Sequence, residues 1–143
     1  MKFNAGRMKR SEGITMFSRE EVLRAHSFLW EREEKRRRER ERRRQEMMRE
    51  VKKAVEAVAP SFPVEKVYLY GSLLNSRWRP DSDVDLAVEG VLSYSDLLSF
   101  WAELDVRVDQ DVDLRELARL PFKEKVKREG MLLYERKTAC PAE

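Results

Sequence analysis

From Glu31 to Glu46 the chain carries no apolar side chain. No face of such a stretch can be buried, so any compact domain must be built to one side of it. The run is either a helix surrounded by water or a charged linker. Glu31–Lys35, Glu33–Arg37, Glu34–Arg38 and Glu39–Arg43 each place Glu four residues ahead of a cation. That order supports a helix by roughly 0.2–0.5 kcal/mol per pair. Residues 31–50 hold ten Lys or Arg and seven Asp or Glu, which accounts for the whole formal charge of +3. Seven acids dilute the basic run, so nucleic acid is not the favoured partner.

The two sides of the run differ. Residues 1–16 have no periodicity and read as a flexible tail. Ser18-Arg19-Glu20-Glu21 is a capping box, with Glu21 three residues after the hydroxyl. It opens a helix with Val22, Leu23, His26, Leu29 and Trp30 on one side, and residues 17–46 are therefore a charged helical extension. Apolar spacing returns at Met47, Met48, Val51, Val55 and Val58, as one face of a helix that Pro60 ends. The pattern then alternates. Strands are expected at 64–70, 84–88, 106–114 and 131–134, with helices at 93–104 and 121–128, the last stopping at Gly130. Residues 47–136 thus form an α/β domain, a small mixed sheet packed with helices and preceded by a long charged helix. Residues 137–143 are a C-terminal tail.

Cys140 is the only cysteine, which suits a reducing cytoplasm. No apolar run approaches the ~18 residues of a membrane span, and no secretory signal is visible, so a cytoplasmic protein without a membrane partner is expected.

The chemistry concentrates in residues 70–114. Asp83 and Asp85 stand two apart in a strand and so share a face, while Val84, Leu86 and Val88 point to the core. Two like charges side by side repel unless a cation lies between them. A hard divalent ion with oxygen ligands is the natural one, and Mg²⁺ is usual where phosphates complete the shell. Gly71-Ser72 follows an apolar strand directly. Glycine lets the backbone approach a ligand closely, and the N–H groups of such a turn make an anion nest. Arg77 and Arg79, in the loop before the aspartates, are placed to neutralise phosphate. A phosphate cradle facing an Asp pair describes a site for a nucleoside triphosphate.

Gly-Ser, ten residues, then Asp-x-Asp resembles the signature of the DNA polymerase β-like nucleotidyltransferase superfamily. More narrowly it is similar to the small MNT-type members, which often act as antitoxins beside HEPN-domain toxins. The resemblance runs from about Met47 to Glu135. It implies the polymerase β-like fold, transfer of a nucleoside monophosphate from an NTP (ATP by default), two Mg²⁺ ions, and a HEPN-type toxin as partner. It also implies a third carboxylate on a later strand. Asp109, Asp111 and Asp113 share one face; Asp113 is preferred because Val112 and Leu114 flank it. Asp111 is the close rival, since its distance from the final helix and strand suits the family equally well, although it would put Gln110 where an apolar residue belongs. The set Asp83, Asp85 and Asp113 is then both catalytic and metal-binding, and Gly71, Ser72, Arg77 and Arg79 bind the nucleotide. Leu73, Asn75 and Ser76 depart from the basic and glycine positions of many relatives, leaving Arg77 and Arg79 to replace that charge.

Blander roles compete. His26, Trp30 and Trp101 read as packing residues, whereas Trp78 in the active-site loop is a candidate for ligand contact. The main alternative to an enzyme is a catalytically weak binding module that masks a partner protein, with Leu29 and Trp30 as apolar anchors. A homo-oligomer through the N-terminal helix fits the same anchors. A third possibility is an RNA-binding accessory protein using residues 35–44.

Overall fold

The computed structural model describes residues 17–137. The tail of residues 1–16, Cys140 and most of the C-terminal tail lie outside the described residues. Contacts divide the chain into two units, one ending at Glu39 and one beginning at Arg40.

Helix α1 spans Arg19–Val58 without interruption, so the charged run is helical. Its start is the expected box: Glu21 N–H donates to Ser18 Oγ at 3.1 Å and Ser18 N–H to Glu21 Oε1 at 2.8 Å. Ion pairs form at both spacings: Arg42 meets Glu46 and Lys52 meets Glu56 four residues apart, with the cation first. Arg36 meets Glu33, Arg37 meets Glu34, and Arg44 meets Glu41, all three residues apart. Positions three apart are also neighbours on a helix surface. In the first unit Leu23, Phe28, Leu29 and Trp30 are exposed.

The second unit carries the sheet. Strands β1 (Val64–Tyr70), β2 (Val84–Gly90), β3 (Val112–Glu116) and β4 (Met131–Glu135) lie in the order β3-β2-β1-β4. The β1–β2 and β1–β4 pairs are antiparallel and β2–β3 is parallel, so the sheet is mixed. On one face Val51, Ala54, Val55 and Val58 of α1, with Phe100 and Leu104 of α2 (Tyr94–Arg107), join Val67, Leu69, Val84, Leu86 and Val88 in the main core. On the other face Tyr68 and Ala87 join Leu117, Leu120 and Val126, the last from α3 (Lys123–Glu129). As anticipated, Val84, Leu86 and Val88 are buried and alternate with Asp85.

One assignment is corrected. The third strand does not begin at Val106; α2 continues to Arg107 and β3 begins only at Val112. The alternation of Val106 and Val108 is the end of a helix and its cap. Val106 is exposed and Val108 buried, and the Val108 N–H closes on Leu104 O at 3.1 Å. Asp109 and Asp111 therefore precede the strand, and of the three acidic candidates only Asp113 lies in it. Ser93 starts α2 with a second capping box to Asp96.

Candidate functional site

The register of three strands sets the site. Tyr70 of β1 lies opposite Asp85 of β2, and Asp85 opposite Asp113 of β3. The three residues form one row across the sheet, on the face that α3 covers in part. The next row is Tyr68, Ala87 and Arg115. Asp83 stands one residue before β2, two from Asp85, and so shares its face.

These groups feel one another. Burial, then the neighbouring charges of Asp113 and Asp83, push the Asp85 carboxyl above its ordinary value, against a lowering by Arg115. Burial, then Asp85 and Asp113, push the Tyr70 phenol up to about 12. The structure thus gathers Asp83, Asp85 and Asp113. Asp109 goes elsewhere, its N–H bonded to Glu50 Oε2 at 2.6 Å, and Asp111 is exposed before the strand, its carbonyl taken by Val84 N–H at 2.8 Å.

Sequence reasoning missed Arg115, which binds Asp113 through Nε to Oδ1 at 3.1 Å and Nη2 to Oδ2 at 3.4 Å. Its position was readable, since residues two apart on a strand share a face. With the side chains so placed, no three acidic, His or Cys groups among the described residues enclose an ion. The donor set still fits a hard divalent cation. All three side chains are carboxylates, and a cation beside Asp85 would offset the burial and the repulsion that raise it.

Gly71 turns the chain beside this row with φ +86° and ψ −155°, a region almost reserved for glycine. A Cβ there would overlap Asp85 Oδ2 and stand 3.1 Å from its Cγ. The bend and the carboxylate are therefore in direct apposition. The Ser72 hydroxyl makes no hydrogen bond among the described residues. A cleft of about 550 Å³ opens next to Gly71, lined by Tyr70, Asn75, Phe122, Lys125 and Glu129 among others. The Tyr70 and Phe122 rings meet edge-on at 5.8 Å. That volume is in the range of small-ligand sites.

Arg77 and Arg79 are not part of that cleft. They line a second one of about 480 Å³ with Arg40, Ser76 and Trp78. Trp78 is a packing residue, 3% exposed, with its indole N–H donating to Gln110 Oε1 at 3.2 Å. Gln110 in turn donates from Nε2 to the carbonyls of Pro80 at 2.6 Å, Ser82 at 2.7 Å and Arg79 at 3.3 Å. It fastens the loop between Gly71 and Asp83 to the start of β3. The signal for it was a polar residue where the alternation asked for an apolar one. The position of Asp113 is fixed next door: Trp101 Nε1 donates to Val112 O at 2.8 Å, and Asp105 Oδ1 accepts from Val112 N–H at 3.2 Å. Replacing Gln110 with Ala leaves the Trp78 indole and two or three carbonyls without their partner, an expected cost of about 1–3 kcal/mol. Hydrogen exchange should then speed up across residues 75–83 while β1 and β2 stay protected. Unchanged protection of that loop would show that the amide is not what holds it.

The family described as polymerase beta, nucleotidyltransferase, matches residues 52–139, more than half of the chain. No curated protein matches it. A solved structure of a toxin–antitoxin with AMP-PNP has the same fold, at 22% identity and a TM-score of 0.51, covering 60% of this chain and 74% of that one. A structure of the tri-AMPylated Shewanella oneidensis HEPN toxin in complex with MNT antitoxin matches at 23% identity and a TM-score of 0.47, over 63% and 73% of the two chains. The toxin–antitoxin MntA–HepT matches at 23% identity and 0.44, over 64% and 73%.

Proposed function

This chain belongs to the polymerase β nucleotidyltransferase family, and on that premise we propose that it moves a nucleoside monophosphate, AMP from ATP, onto a hydroxyl of a protein or nucleic acid. The observation that carries the proposal is the row Tyr70–Asp85–Asp113, with Asp83 on the same face and Gly71 pressed against Asp85.

Asp83, Asp85 and Asp113 would hold Mg²⁺, two ions in the usual arrangement, which when bound supplies charge neutralisation on the triphosphate and acidifies the attacking hydroxyl. The chain's own groups do the rest. Gly71 lets the backbone reach the phosphates, and the free Ser72 hydroxyl donates to one of them. Asp113 exchanges its bond to Arg115 for the proton of the acceptor hydroxyl. The acceptor oxygen bonds to the α-phosphorus, the bond from that phosphorus to the β-phosphate oxygen breaks, and pyrophosphate leaves. The cleft beside Gly71 is the place we propose for the nucleoside.

The proposed partner is a HEPN-type toxin. Supporting it are the Gly-Ser and Asp-x-Asp spacing and the fold shared with the toxin–antitoxin structure that contains AMP-PNP. A second reading, a module that neutralises its partner by masking, draws on the exposed Leu23, Phe28, Leu29 and Trp30 of α1, each more than half exposed. The same patch is the proposed grip for self-association. Among the described residues no helix is long and apolar enough to cross a membrane, and a cytoplasmic site of action is part of the proposal.

Incubation with α-labelled NTPs, Mg²⁺ and a candidate partner should label the partner, with ATP preferred. Calorimetry showing no Mg²⁺-dependent binding of any NTP would remove the enzyme and leave the masking module.

A further inference from the structure

We infer that Arg40, Arg77 and Arg79 form a phosphate-binding cleft for single-stranded nucleic acid, separate from the nucleotide cleft at Gly71. The inference rests on the proposed function in one respect, that the NTP occupies the Gly71 side. If so, phosphates in the arginine cleft belong to a second molecule.

Three arginines line this cleft of about 480 Å³, and no acidic residue lines it. None of the three is ion-paired among the described residues. Like charges brought together without a counter-charge raise the free energy of the folded state, and an anionic ligand removes that cost. The cluster is also held in place. Trp78 is buried between Arg77 and Arg79, so both arginines flank an anchored residue. Gln110 holds the carbonyls of Arg79, Pro80 and Ser82. Asn75 Oδ1 accepts from Arg77 N–H at 2.8 Å, and Ser82 Oγ from Arg79 N–H at 3.1 Å. Arg44, one turn beyond Arg40, donates from Nη1 to Leu73 O at 2.6 Å and fastens α1 to the same loop. A guanidinium presents a planar fork of donors that matches a phosphate, and a pre-set fork loses little entropy on binding.

The shape selects the ligand class. The cleft has room for more than a lone phosphate, and Arg79 lies four residues before Asp83. The loop that carries Arg77 and Arg79 leads directly into Asp83. The one aromatic ring in the lining is buried, so no stacking platform is offered. Recognition then runs through the phosphates alone, the sequence-independent part of nucleic-acid binding.

The test uses the full chain, a fluorescent oligouridylate and an oligodeoxythymidylate, without Mg²⁺ or NTP, followed by anisotropy over a salt series. Wild type should bind both, and Arg40→Glu should weaken binding at least tenfold. For a single strand, losing three phosphate contacts flattens the plot of log affinity against log salt by about two. That is the change expected of the Arg40→Ala/Arg77→Ala/Arg79→Ala protein, with circular dichroism to confirm its fold; Arg77→Ala alone should flatten the slope by less. Calorimetry of Arg40→Glu with ATP and Mg²⁺ should match wild type. The inference fails if wild type does not bind the oligonucleotides at low salt. It also fails if Arg40→Glu loses ATP instead, which would put the triphosphate here, or if oligoglutamate binds as tightly as RNA, which would make the cleft a grip for an acidic protein segment. Failure of ATP binding in wild type with oligonucleotide binding intact would sink the proposed reaction and leave the cleft standing.

Discussion

Asp85→Asn is expected to reduce nucleotidyl transfer on the order of 10³-fold or more while leaving the domain folded and more heat-stable at neutral pH. The rate follows from the proposed role. A metal clamp supplies several kcal/mol of transition-state stabilisation, and each 1.36 kcal/mol is about tenfold. The stability change follows from the environment. In the folded chain burial, Asp113 and Asp83 raise the Asp85 carboxyl above its ordinary 3.8. The folded state therefore holds the proton more tightly than the unfolded state, and ionisation of Asp85 costs stability. That cost sets in as pH rises from about the unfolded value through the raised folded one, and it stays at higher pH. The asparagine amide carries no charge and escapes it. Thermal melts of both proteins from pH 3 to 8, at metal-free low salt, should show the Asp85→Asn protein ahead at neutral pH and the gap closing in acid. A mutant that melts lower at pH 7, or one that still transfers label, would show that Asp85 serves a structural bond instead.

Gly71→Ala should damage folding and chemistry together. The φ of +86° with ψ of −155° is strained for any residue with a Cβ, by about 1–3 kcal/mol. The added methyl also overlaps the Asp85 carboxylate. The loss should come to about 2–3 kcal/mol, a fall in melting temperature on the order of 10 °C for a domain of this size. The protein that remains folded must move either the bend or Asp85, so Mg²⁺-dependent NTP binding should disappear even well below its melting point. Retained NTP affinity in a destabilised Gly71→Ala protein would mean that the turn is needed for the fold alone.

Much of this is legible in the sequence. The bounds of β1, the start of β4, the Ser18 capping box and the core face of β2 all follow from spacing, because alternation in a strand and three-residue offsets at a helix start are local rules. What escaped was non-local or ambiguous. Val106 and Val108 alternate as a strand would, yet Leu104 and Phe100 draw that segment into the α2 core. Trp78 sat in a loop that looked free to touch ligand, but a partner 32 residues away, Gln110, takes its N–H. Arg77 and Arg79 were assigned to phosphate from sequence, and only the fold shows that Arg40 of α1 joins them away from Gly71. The pairing of Asp113 with Arg115 is local, and reading one strand face further would have found it.

Gln110 has a mechanical consequence. A single amide ties the loop bearing Arg77 and Arg79 to the residue leading into β3, while Trp101 and Asp105 hold the next residue but one. The arginine cleft and the acidic row therefore ride on one rigid bracket. Lengthening the chain between Arg79 and Asp83 by a single residue would break these hydrogen bonds before it altered any charged group.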